Sequence, residues 1–110
     1  MGNRISEARL EALRSLPLTA VLDGLGLYWK ADPDYRPTKD RSSRRINVSA
    51  DAAVYELLLT GQRWYDMRSK KGGGGALDLA MYLTKMKFRD AVTMLSGLQR
   101  ELEQKKQVGE

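Results

Sequence analysis

Apolar residues recur along this chain at two periods, and the change from one to the other separates helical ends from a strand-like middle. Over residues 6–16, Ala8, Leu10, Ala12, Leu13 and Leu16 form a stripe behind Ser6, whose hydroxyl suits an N-cap, and predict a first helix. Pro17 interrupts that run and suits the opening of a second short helix over residues 18–22, which Gly24 and Gly26 stop. Leu27-Tyr28-Trp29-Lys30 predicts the start of a strand, and Asp32-Pro33-Asp34 a turn. Residues 38–45 are polar and basic and predict an exposed loop, after which Arg45-Ile46-Asn47-Val48-Ser49 alternates like a half-buried strand.

The segment from Val54 to Thr60 fits two patterns. Its composition suits a helix running from Ala50 to Gly61, and it suits a strand turning at Thr60-Gly61-Gln62 into a return strand, Arg63-Trp64-Tyr65-Asp66. The hairpin is preferred, because Trp64-Tyr65 is a good strand dipeptide and the spacing fits a short loop. After four glycines, residues 76–83 read as a mostly buried helix. A last helix starts near Lys87, with Phe88, Ala91, Val92, Leu95, Leu98 and Leu102 as its apolar stripe. Residues 103–110 are charged and predict a frayed tail. Neither an internal repeat nor a second domain is visible, so residues 1–110 are expected to form one domain with its core over about 16–96. The expected class is α+β: a small antiparallel sheet flanked by N-terminal and C-terminal helices.

Composition narrows the chemistry. At 110 residues, with 42% hydrophobic and 30% charged content, the chain is a globular domain able to build one modest core. No apolar run approaches the roughly 20 residues that span a bilayer, and the first residues lack the apolar stretch of a secretory signal. Met1-Gly2 followed by Ser6 matches the loose N-myristoylation pattern, but the match is too short to displace a cytoplasmic expectation. Cysteine and histidine are both absent, which removes disulfides, thiol nucleophiles, the usual structural zinc and the commonest general base. The acidic residues do not cluster. No catalytic residue, metal ligand or cofactor is therefore predicted, and an enzyme is disfavoured.

The net charge of +5 is unevenly placed, because residues 36–71 carry nine basic and four acidic groups while the rest is nearly balanced. Such a field favours a polyanion, although a solvated basic face with no partner would look the same. Within this third, Arg63-Trp64-Tyr65-Asp66-Met67-Arg68-Ser69-Lys70-Lys71 runs directly into Gly72-Gly73-Gly74-Gly75. Four glycines carry a large entropy cost on folding, and a chain tolerates it where backbone must turn sharply or approach another surface. Two uses are open: amides of Gly73 and Gly74 approaching a phosphate before a helix N-terminus, or tight strand-to-helix packing. The run matches neither a phosphate-loop nor a dinucleotide fingerprint. On a strand, Trp64 and Tyr65 would point to opposite faces, the larger Trp64 into the core. Tyr65, or Trp29 on a neighbouring strand, is then the candidate for stacking on an unpaired base. Arg44, Arg45, Arg63, Arg68, Lys70 and Lys71 are the candidates for phosphate contacts.

The order of segments resembles the N-terminal zinc-ribbon domain of bacterial replicative primases, in the metal-free version found beside toprim domains in plasmid and conjugative-element proteins. Residues 16–27 look like its opening helix and glycine stop, and Arg44-Arg45-Ile46-Asn47-Val48-Ser49 like the strand after its first ligand pair. Trp64-Tyr65-Asp66 through the glycines, Ala76-Leu77-Asp78-Leu79 and residues 88–95 look like its second knuckle, glycine turn and closing helices. The likeness covers roughly residues 16–96, and the glycine turn followed by Ala-Leu-Asp-Leu is its most specific part. Zinc ribbons of this family use three cysteines and a histidine; here the corresponding positions, near residues 36–39 and 66–70, hold polar or basic residues, so no metal site is carried over. The resemblance implies a zinc-ribbon-like fold without metal, and binding of template or single-stranded DNA in priming with the polymerising chemistry elsewhere.

The expectation is thus a DNA-binding accessory to replication or transfer of a plasmid or mobile element. Its rival is a protein-interaction module docking on a primase, helicase or relaxase through the C-terminal helix. In a chain that has replaced zinc by apolar packing, a chelator leaves the melting temperature unchanged; a drop on chelation would reveal a metal.

Overall fold

The computed structural model describes residues 5–108, so the Met1-Gly2 pattern lies outside the described residues. Five strands form an antiparallel meander in the order β1 (Tyr28–Ala31), β2 (Arg44–Ala50), β3 (Ala53–Thr60), β4 (Arg63–Asp66) and β5 (Lys71–Gly74). Two helices precede the sheet, α1 (Glu7–Arg14) and α2 (Leu18–Gly24), and two follow it, α3 (Ala76–Thr84) and α4 (Phe88–Val108). The α+β class, with a small antiparallel sheet and helices from both ends of the chain, is what the patterning predicts.

Local chemistry sets the boundaries. The Ser6 hydroxyl accepts from the Arg9 amide at 3.1 Å and caps α1. Pro17 stands just before α2 rather than inside it, and Gly26 takes a φ of +73° once that helix has ended. The β3–β4 hairpin turns on Gly61-Gln62, with Gly61 at φ +60°, as the first position of a type II′ turn requires. Of the two readings left open for residues 54–60, the strand is the observed one. The Gln62 side chain then donates to the carbonyls of Arg14 (2.7 Å) and Leu16 (3.0 Å), tying the hairpin to the α1–α2 junction.

One face of the sheet is covered and the other is open. Ile46, Val48, Leu57, Leu59 and Trp64 point to the covered face and share a core with Leu13, Val21, Leu22, Leu79, Leu83 and Leu95 of the four helices. The core reaches back to Leu13 and forward to Leu98, beyond the 16–96 expected. α4 differs at both ends from its predicted stripe: Phe88 is exposed, and the helix runs past Leu102 to Val108.

The glycine run is the largest departure from the expected elements, because Lys71–Gly74 is a strand at the sheet edge and only Gly75, at φ +90°, makes the turn into α3. Gly73 pairs with Trp64, and a Cβ placed on it would lie 2.6 Å from the indole ring and 2.0 Å from Asp78 Oδ2. The missing side chain is therefore the space in which the Trp64 ring sits. The Trp64 ring continues onto Tyr82 of α3, with ring centroids 4.6 Å apart.

Beside this contact, Asp66 is buried, and its carboxylate is fully engaged. Oδ2 accepts from the Tyr82 hydroxyl at 2.5 Å, while Oδ1 accepts from the amides of Arg68 (3.0 Å) and Ser69 (3.2 Å) and closes the β4–β5 turn. Burial alone would raise this carboxyl, but those hydrogen bonds outweigh it and hold its pKa below the ordinary value. The Tyr82 hydroxyl is raised, by its burial first and by the bond to Asp66 second.

Two consequences can be measured. Gly73→Ala should destabilise the fold by roughly 1–3 kcal/mol through overpacking against Trp64, whereas Gly74→Ala, whose Cβ meets nothing within 4 Å, should change chemical-denaturation stability by less than about 0.5 kcal/mol. Because the Asp66 pKa is depressed on folding, its contribution is complete above the unfolded-state carboxyl pKa and is lost as pH falls through the folded value. Asp66→Asn should lower stability at neutral pH by roughly 1–3 kcal/mol and flatten the acid limb of the stability–pH curve.

Candidate nucleic-acid interface

Strand register decides which side chains share the open face. Alternation puts Trp64 and Asp66 inward, so Arg63 and Tyr65 point outward. The pairings Arg45↔Leu58, Leu58↔Tyr65 and Tyr65↔Gly72 make one row across four strands, and Thr60↔Arg63↔Gly74 the next. Further along, Lys30, Asn47 and Glu56 form a third row, and Tyr28, Ser49 and Val54 a fourth.

A groove of about 400 Å³ runs over the first two rows, walled by the loop that carries Lys39, Asp40 and Ser43. Tyr65 is its aromatic element, 41% exposed, with its ring laid across Gly72: a Cβ there would stand 3.1 Å from Tyr65 Cδ1. Glycine opposite an aromatic leaves the ring supported from below and open above. Arg63 and Lys39 bring cations to the same groove. The wall is held by the Ser43 and Thr60 hydroxyls, 2.7 Å apart, and by Asp40, which accepts from the Ser42 hydroxyl (2.6 Å) and amide (2.9 Å). Those two bonds, with a smaller pull from Arg63, keep the Asp40 carboxyl below its usual pKa, so one anion offsets part of the Arg63 charge.

The sequence-predicted residues divide between several places. Arg63 and Tyr65 meet in the groove. Arg45 shares their face, but its Nε lies 3.3 Å from Asp32 Oδ2, an ion pair by distance without hydrogen-bond alignment. Arg68 and Lys70 lie in the β4–β5 turn, Arg68 paired with Glu56 at 3.2 Å. Arg44 and Lys71 stand on the helix side of the sheet, Arg44 in a separate cleft with Pro17, Leu18 and Gln62. Gly73 serves the Trp64 packing. The Gly74 amide donates to Asp78 Oδ2 at 3.1 Å and the Gly75 amide to the Gln62 carbonyl at 2.7 Å, so these groups hold the strand edge and helix start together. Trp29 lies on the covered face, where its Nε1 donates to Asp23 at 2.8 Å, and so cannot share a ligand with Tyr65.

Sequence reasoning passed over Lys39 and Tyr28. Lys39 reaches the groove only because its loop folds beside β3, which no local pattern encodes. Tyr28 is 70% exposed on the open face, and its place next to Trp29, which strand alternation sends to the opposite face, was the available signal.

Among the described residues the ion pairs are Arg45–Asp32 and Arg68–Glu56, which leaves Lys30, Lys39 and Arg63 as unpaired cations of this face. No group of three acidic residues converges as metal ligands, and no helix is long and apolar enough to cross a membrane, among the same residues. The arrangement offers stacking and charge.

No protein-family model matches the chain, and no solved structure matches it significantly. Among curated proteins, a "65 kDa protein" of Zymomonas mobilis subsp. mobilis is 28% identical over 93 residues. That similarity covers 84% of this chain and 14% of the other protein, so the chain spans a small part of the length of the relative it matches.

Proposed function

We propose that this chain binds single-stranded DNA on the open face of its sheet, as a cytoplasmic accessory to the replication, priming or transfer of a plasmid or mobile element. The observation that carries the reading is Tyr65: an exposed ring backed by Gly72, in a groove that also holds Arg63 and Lys39. A base offers a π-face of any sequence to such a ring, and its phosphates reach the flanking cations, so the binding has little sequence preference. The role in replication rests on the resemblance in segment order to primase zinc-ribbon domains.

Fluorescence anisotropy of a labelled single-stranded oligonucleotide, titrated at two salt concentrations, tests this directly. Binding should weaken steeply with salt. Arg63→Ala should reduce the slope of log K against log salt by about 0.7, the value of one lost phosphate contact on a single strand. Tyr65→Ala should weaken binding about five-fold or more with the slope unchanged. No binding at low salt would sink the reading and leave a protein partner in the lead.

A further inference from the structure

The open face carries a second exposed aromatic, far from the groove. Tyr28 is 70% exposed, the most exposed large hydrophobic side chain among the described residues, and the next is Val54 at 50%, in the same row across Ser49. Both share the face of Tyr65. Tyr28 and Val54 stand on either side of Ser49, two strand spacings apart, and together put apolar surface at the far end of an uncovered sheet face.

The positions can be related through register. Tyr65 shares its row with Arg45 and Tyr28 with Ser49, four residues apart along β2. At ~3.3 Å rise per residue and ~4.8 Å between strands, Tyr28 lies roughly 13 Å along and, across three strand spacings, roughly 14 Å sideways from Tyr65. The diagonal is roughly 19 Å, which a stacked single strand at ~3.4 Å per base covers in about six nucleotides. Between the two rings lies the row of Lys30, Asn47 and Glu56. Its one carboxylate is paired with Arg68, so the row presents an unpaired lysine and an amide; among the described residues, carboxylates outside ion pairs stand only toward the two ends, Asp40 in the groove wall and Asp51 in the turn after β2.

We infer that Tyr28 is a second stacking station for the same strand. A single-stranded nucleic acid leaves the Tyr65 groove, passes its phosphates over Lys30 and Asn47, and stacks a second base on Tyr28 beside Val54. This rests on the reading of the open face given above and extends it to a path and an occluded length. The uncovered apolar row at Tyr28 is then a ligand surface, with a polyanion as its occupant because the cations of this face outnumber its unpaired carboxylates.

The two ideas fail differently in one experiment: anisotropy with oligothymidylates of about three and about twelve nucleotides, one shorter and one longer than the inferred path. Tyr28→Ala should weaken the long oligonucleotide at least about five-fold and leave the short one unchanged, while Tyr65→Ala should weaken both. Tyr28→Phe should bind like the parent, which separates stacking from loss of the hydroxyl. If the parent binds both lengths and Tyr28→Ala binds both equally well, the second station is wrong and the groove stands. If the parent binds neither length, both ideas fall, and Tyr28 and Val54 belong to a protein contact.

Discussion

The indole of Trp64 rests where Gly73 has no side chain, and the outer surface of the sheet depends on that contact. Side chains alternate along a strand, so a one-residue slip of β4 would turn Trp64 outward and Tyr65 into the core. Three partners oppose the slip. Gly73 accepts the ring, Tyr82 of α3 lies against it, and one step along the strand the buried Asp66 is held by the Tyr82 hydroxyl and by two turn amides. The same clamp that closes the core therefore exposes Tyr65 and Arg63.

Where the sequence alone spoke clearly, one local rule sufficed. Ser6 caps its helix, and the bulkier member of the Trp64-Tyr65 pair goes inside; residues 54–60 fitted both helix and strand, and the pairing with β2 and β4 decided for the strand. β5 was illegible because glycines are poor strand formers, and the reason for tolerating them lies across the sheet in Trp64 and across the turn in Asp78. Tertiary packing there overrides propensity. The length of α4 was misjudged for a related reason: its last turns lack an apolar stripe, yet the helix continues on its own backbone bonds.

The candidate binding residues show a sharper limit. Nine basic residues crowd one third of the chain, and counting alone makes them a patch. Folding disperses them. Arg44 and Lys71 go to the helix side, Arg45 is met by Asp32, and Arg68 by Glu56, which is twelve residues away in sequence. What survives on the open face is a sparse set of cations around aromatic rings, a geometry suited to a flexible strand more than to a rigid duplex. Lys39 joins that set from a loop and Lys30 from an acid-balanced stretch of sequence, so charge density along the chain marks the neighbourhood of the groove but few of the cations that the open face presents.

The edge of β5 has a bearing on how copies of this chain behave together. A strand with almost no side chains is an unguarded template, because nothing keeps a neighbour's backbone from adding to its free amides and carbonyls. Asp78 answers this from the first turn of α3 by taking the Gly74 amide itself. One donor of the edge is thereby withdrawn, and a negative charge stands where an intruding strand would have to bring its own carbonyl. The carboxylate that joins strand to helix thereby also makes this edge a poorer template for a second copy's strand.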